Sequence, residues 1–387
     1  MNNSHVVKLY RMKRKTIAVV RGTRPNVISF YEDFKESNIK FISASFESVN
    51  FASQKKNFQF INLPYYNFLG FDPGNLINQY GNLSFIFIRN LEKYLDGADV
   101  VNISDTYYFS NLQAVNWAKK NNVPVVTVIW CTIPNHITAW FPPYSFITKK
   151  VVEATDLFIL RSKTALQFTD SLAVPRSKTK VIYKGVDLHK FSPSPVTNHQ
   201  SPITVLFTGN LSKAKGLDDL LFVFEHVRKH YKDLKLIIAG DGEMRKKIES
   251  LSLSLGKDVI DHRGFVSYDE LPDLYREVDI YCAPSKYKTL FGIRSWEEYF
   301  SYALMEALGS GLPIISTRSG GIPEEVGNNN LLIEPGNRQE LEEALIKLIE
   351  NKSFRRILSL SNRKRAKKLF DAKKQALETE NAILEII

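Results

Sequence analysis

Cysteine is nearly absent: Cys131 and Cys282 are the only two in 387 residues. They lie far apart, each in an apolar neighbourhood that reads as strand or strand end. Buried thiols are expected, with no disulfide framework and no zinc site. Long apolar runs are also missing. The longest, Val123 to Pro134, falls well short of the ~20 residues a spanning helix needs. The first residues are basic but lead into no apolar core with a small-residue cleavage site, so a cytosolic protein is expected. Acids are scarce at both ends of the chain. None precedes Glu32, whereas Lys8, Arg11, Lys13, Arg14, Lys15, Arg21 and Arg24 do, and residues 352–374 set ten lysines and arginines against the single acid Asp371.

What is present suits two globular domains. The length exceeds one ordinary core, and hydrophobic content of 44% is enough to fill two. Short apolar strands read at Thr16–Val20, Lys40–Ser45, Phe58–Leu63, Asp99–Ile103, Pro124–Ile129, Asp156–Leu160 and Lys180–Tyr183. Amphipathic stretches between them predict a parallel sheet covered on both faces. The tract 192–202 carries three prolines and no apolar periodicity, which marks a linker. Beyond it, strands read at Ile203–Thr208, Leu234–Ala239, Val259–Arg263, Ile280–Ala283, Pro313–Ser316 and Asn330–Ile333, with a helix over Arg338–Glu350. The expected division is a first domain at 1–191, a second at 203–365 and a last helix at 366–387.

Several segments of the second half offer chemistry. Gly209-Asn-Leu-Ser-Lys-Ala-Lys-Gly216 stands between a strand and a helix. A glycine there lets backbone approach a ligand, free N–H groups face it, and Lys215 can neutralise a phosphate. Gly240 and Gly242 read as a tight turn. Glu298 and Glu306 are separated by seven residues, the first in a loop and the second on a short helix. About two turns at ~1.5 Å per residue place them on the order of 10 Å apart, far enough to hold two hydroxyl-rich parts of one ligand. Ser301, between them, can cap the helix beginning at Tyr302.

These stations occur in the order found in the group 1 (family 4) glycosyltransferases, which the segment Val205–Pro335 resembles. Gly264-Phe-Val266, Gly320-Gly-Ile-Pro-Glu-Glu325 and Lys180-Val-Ile-Tyr-Lys-Gly-Val-Asp-Leu-His-Lys-Phe191 add to the match. The resemblance implies an α/β fold of the GT-B class, two facing Rossmann-like doubly wound domains with a donor cleft between them. It implies a retaining, metal-independent hexosyl transfer from a nucleoside diphosphate sugar, UDP- or GDP-linked, to a glycan or lipid-linked acceptor, with no cofactor. By position it gives Lys215 the diphosphate, Glu298 the transferred sugar, Glu306 the ribose and Val266 a backbone contact to the base. Gly209, Asn210, Phe300, Ser301 and Tyr302 would complete the nucleotide-sugar site, with the helix amides near Ser301 facing phosphate. His136 is the candidate for the family's acceptor-side histidine. The chain departs from the pattern at Asn210 (family arginine), Ser301 (family glycine) and Lys184 (common asparagine).

The first domain matches less well. Its Gly22-Thr-Arg-Pro25 resembles sugar-nucleotide 2-epimerases of the same fold, which leaves an isomerase as one alternative and a non-catalytic sugar-nucleotide binding subunit as another. The two basic blocks are expected to be solvated faces or a surface for an anionic membrane. In the second case Trp140-Phe-Pro-Pro-Tyr-Ser-Phe146, with Lys149 and Lys150, would anchor the acceptor side. No nucleic-acid module accompanies the charge.

Overall fold

A computed structural model describes residues 14–21, 25–44, 53, 55–63, 65–66, 87–193, 202–290 and 292–387. Lys8, Arg11, Lys13, Arg24, the tripeptide Gly22-Thr-Arg24 and most of the proline-rich linker lie outside them. Seven parallel strands form the first sheet, in the order Phe58–Leu63, Asn38–Ala44, Thr16–Val20, Val100–Ser104, Val125–Ile129, Leu157–Leu160, Thr179–Val181. Six form the second: Ile260–Gly264, Lys235–Ala239, Thr204–Thr208, Ile280–Ala283, Ile314–Thr317, Leu331–Ile333. In both, the order reverses beside the first strand, giving the doubly wound arrangement whose ligand crevice lies at the carboxyl ends of the strands. The central strands Val100–Ser104, Val125–Ile129 and Thr204–Thr208 are buried throughout, as sheets covered on both faces require.

A two-stranded antiparallel hairpin, Lys288–Leu290 with Ile293–Trp296, was not expected from the sequence. It rises between the strand Ile280–Ala283 and Glu298, and it reaches the first domain. Ser295 and Glu297 there meet His136 and Thr132.

The chain does cross back to the first domain, but later than residue 366. Helix Lys352–Leu369 stays on the second domain because Ala366 and Phe370 are buried in its core. The crossing comes at Asp371, which forms a parallel bridge to Val186. Helix Ala372–Leu384 then packs against Pro25–Glu32, and the buried Glu380 accepts hydrogen bonds from the N–H groups of Lys35, Glu36 and Ser37 at 2.8–2.9 Å.

The basic block on these helices is partly structural. Arg355, Arg363 and Arg365 donate to backbone carbonyls of Leu348, Gly309 and Glu325, among others. They satisfy loop and helix ends rather than facing solvent.

Candidate active site

A cleft of about 720 Å³ separates the domains. Its walls are the residues that follow parallel strands: Arg21, Asp105 and Trp130 from the first sheet, Gly209, Asn210, Ala283 and Ser285 from the second. Lys215, Trp296, Glu298, Phe300, Ser301 and Tyr302 also line it. Most of the expected donor-site residues are therefore brought together.

Lys215 sits at the end of a short 3-10 turn before helix Leu217–Val227. Its ammonium is ion-paired with the Glu298 carboxylate and lies 5.0 Å from the centre of the Trp296 ring. Ser285 Oγ donates to the same Glu298 oxygen at 3.4 Å. The cation expected at the diphosphate and the acid expected at the sugar are thus neighbours. Two glycines shape this corner. A Cβ on Gly240, at φ 142°, would stand 1.9 Å from the Gly209 carbonyl oxygen, so the loop that begins at Gly209 rests directly on backbone. A Cβ on Gly321 would stand 1.8 Å from the Tyr299 carbonyl oxygen. Gly321 N–H in turn donates to Glu298 O at 2.9 Å, fixing the acid's backbone.

Ser301 does not use its hydroxyl as the helix cap. Its own N–H donates at 2.8 Å to the buried carboxyl of Glu325, which reaches in from helix Ile322–Val326. Burial pushes the Glu325 carboxyl well above the usual carboxylate range, only partly opposed by that bond.

Glu306 and Val266 do not line this cleft. Glu306 faces a second cavity of about 230 Å³, where Tyr302 forms a wall common to both spaces. Tyr275 donates to Glu306 at 3.1 Å, and burial raises the carboxyl to about 8 against that bond. Val266 packs, half-buried, against the second domain's core.

His136 is placed elsewhere than the acceptor-side expectation put it. It is buried and absent from the cleft walls. Its Nε2 must donate to the Ser295 carbonyl at 3.0 Å, because a carbonyl only accepts, and its Nδ1 then accepts from Thr138 Oγ1 at 2.9 Å. Burial lowers its pKa from the ordinary value despite the Ser295 bond. The ring is a neutral strut between the domains. Trp130, directly after strand Val125–Ile129, occupies the cleft instead.

Two residues were missed by sequence reasoning. Asp105 lines the cleft with φ 54°, a left-handed conformation uncommon for a residue with a side chain. It accepts from Trp130 N–H at 3.1 Å. Burial raises its carboxyl to about 6, held down by the N–H groups of Trp130 and Cys131 and by Arg21. Glu324 is the second. It reaches from the second domain to take the N–H groups of Lys163 and Thr164 at 2.6 and 2.8 Å, Thr164 Oγ1 at 2.7 Å and the Tyr183 hydroxyl at 2.9 Å. Only the strand-end position of Asp105 could have drawn notice to it. Nothing in a Pro-Glu-Glu helix start announces a domain latch.

Both cysteines are free and buried, as expected. Among the described residues no helix is long and apolar enough to cross a membrane.

Comparison with known proteins agrees with this geometry. Residues 62–190 match the family described as "Glycosyltransferase Family 4", and residues 191–367 the one described as "Glycosyl transferases group 1". An uncharacterized glycosyltransferase of Methanocaldococcus jannaschii is 28% identical over 221 residues, 54% of each chain. A GDP-mannose-dependent alpha-(1-6)-phosphatidylinositol monomannoside mannosyltransferase of Mycobacterium tuberculosis is 24% identical over 228 residues, 55% of this chain and 58% of that one. The chain spans about half the length of the curated relatives it matches. In fold, it is similar to the Anabaena protein HepE in complex with UDP-glucose, with TM-score 0.71 and 16% identity over 96% of this chain and 100% of that one. With the two family matches adjoining at residues 190 and 191, and the doubly wound domains enclosing one cleft, the chain belongs to the group 1 glycosyltransferases.

Proposed function

We propose that the protein transfers a hexose from a nucleoside diphosphate sugar to an acceptor hydroxyl, with retention and without a metal ion. The observation that carries this is the Lys215–Glu298 pair at the mouth of the phosphate-side loop. A diphosphate entering there offers Lys215 a stronger partner and frees Glu298 for the sugar hydroxyls. As the anomeric C–O bond breaks, the leaving phosphate takes the electron pair, and Lys215 with the neighbouring helix amides stabilises it. The acceptor oxygen forms the new bond on the same face, and its proton passes to the departing phosphate oxygen. Asp105, on the opposite wall, is suited to orient that hydroxyl.

The proposed donor is UDP- or GDP-linked; the Anabaena neighbour holds UDP-glucose and the mycobacterial relative is named for GDP-mannose. No cofactor is required by this chemistry. A thermal-shift screen across UDP-, GDP- and ADP-sugars identifies the donor, since a bound ligand raises stability by mass action. Transfer of label from that donor, unchanged by a chelator, then tests the reaction. A product isomeric with the donor, formed without acceptor, would instead establish an epimerase.

For the acceptor we propose a lipid-linked or polysaccharide precursor reached at the cytosolic face of an anionic membrane. Trp140, Phe141 and Phe146 are 50%, 48% and 58% exposed, beside Lys149 and Lys150. Each basic residue near such a surface contributes on the order of 1 kcal/mol. Salt-sensitive sedimentation with anionic liposomes supports this surface, and none at low salt removes it.

A further inference from the structure

Beside the cleft, on the first domain, three basic side chains gather. Arg161 and Lys184 are each only 1% exposed. The Lys184 ammonium lies 3.8 Å from the centre of the Phe30 ring, and the Arg161 guanidinium 5.0 Å from it. Arg21 adjoins them: it donates to the Tyr31 hydroxyl at 3.4 Å, and that hydroxyl donates to Asn102 Oδ1 at 2.8 Å. Two carboxylates act on this group, Asp33 on Lys184 and Asp105 on Arg21, and both have other partners. Asp33 is paired with Lys55, and Asp105 is bonded by the Trp130 N–H.

The orphaned atoms of this region are donors. Lys184 Nζ, Arg161 Nε and Nη2, Asn102 Nδ2 and Trp130 Nε1 are all buried without a hydrogen-bond partner among the described residues. Each such group costs stability, and buried cations cost most. Burial, reinforced by repulsion from Arg161 and Arg21, holds Lys184 well below the ordinary lysine range. Natural folds rarely collect so many unsatisfied donors in one place without a ligand to meet them. A phosphate group supplies several acceptor oxygens and up to two negative charges, and it suits guanidinium forks.

We propose that Arg21, Arg161 and Lys184, with Asn102 and Trp130, form a second anion site for a phosphate-class group, distinct from the Lys215 corner. Arg21 and Trp130 open onto the cleft. The Tyr302 ring adjoins both Trp130 and Lys184, its centre 5.9 Å from that of the Trp130 ring and 5.8 Å from the Lys184 ammonium. Two sources share this chemistry, the nucleotide diphosphate of the donor and a phosphate carried by the acceptor. Naming those sources rests on the transferase reading; the site itself does not.

Calorimetric titration of the native protein with inorganic phosphate, a hexose phosphate and UDP tests it, alongside Lys184→Met, Arg21→Gln and Lys215→Ala. The expected result is that Lys184→Met raises the melting temperature of the ligand-free protein while weakening one of the three anions by about tenfold or more. Arg21→Gln should weaken the same anion, and serves if the lysine variant does not fold. Loss confined to inorganic phosphate or the hexose phosphate assigns the site to the acceptor. Loss of UDP affinity as well, alongside that of Lys215→Ala, assigns it to the donor. Unchanged affinities in both variants, or no anion binding outside the Lys215 corner, would overturn the proposal. Anion binding without any sugar transfer would instead count against the transferase reading alone.

Discussion

Lys215→Ala separates the catalytic reading of the cleft from a structural one. The lysine and Glu298 side chains are 24% and 11% exposed, between a solvated pair, worth at most about 1 kcal/mol, and a buried one, whose breaking costs about 3–5 kcal/mol. With the lysine gone, the Glu298 carboxylate keeps, among the described residues, the 3.4 Å bond from Ser285 Oγ. A stability loss of about 1–3 kcal/mol follows, seen as a lower midpoint in urea. Transfer should fall further. Removing a preorganised charge from a developing oxyanion costs about 100-fold, or about 2.7 kcal/mol of barrier. Glu298→Gln keeps the shape and loses the charge, so it should also slow transfer strongly and blunt discrimination between donor sugars. If the two side chains act as one unit, the double variant is little worse than the worse single one. Initial rates with labelled donor measure this at saturating acceptor. A Lys215→Ala enzyme with the native rate and reduced stability would refute the diphosphate role and leave the pair as a strut.

Three further predictions rest on Glu306, Glu380 and Glu324, the first two of them buried. Glu306 titrates at about 8 in the fold and near 4.3 when unfolded, so its contribution is present at acid pH and is lost as pH rises through the folded value. Glu306→Gln should therefore gain stability relative to the native protein between about pH 5 and about pH 8, by at most about 1.4 kcal/mol per unit; a difference independent of pH would remove the shift. Glu380→Ala strands three N–H groups at the end of the first helix and should cost about 2–4 kcal/mol, read by denaturation, with Gln recovering part of it. Glu324→Ala deletes four bonds between the domains; small-angle scattering should show a more open pair of domains, and an unchanged profile would mean that the remaining contacts suffice.

The strands were legible because both sheets are covered on both faces, so buried strands such as Val205 to Thr208 read as unbroken apolar runs. The hairpin before Glu298 was not, because Thr289, Ile293 and Arg294 are largely exposed and its pairing is local and short. The same distinction runs through the site. Lys215 directly precedes Gly216, and Glu298 is separated by seven residues from the acid of a short helix, spacings written along the chain; Lys215 and Glu298 meet in the cleft. His136 could not be judged in that way, since its role is set by the Ser295 carbonyl, 159 positions away. Glu325 at Ser301 and Glu324 at Thr164 are likewise contacts between elements that share no local pattern. Lys184 shows how the two kinds of information combine. As a sequence it is one substitution within a motif, and as a structure it is a buried ammonium without a counter-charge, grouped with Arg161 and Arg21. Position 210 holds Asn, so the Gly209–Gly216 loop faces the cleft with Lys215, whereas the first domain buries Arg161 and Lys184 and brings Arg21 to the cleft wall. That grouping is what the proposed anion would meet from the first domain's side.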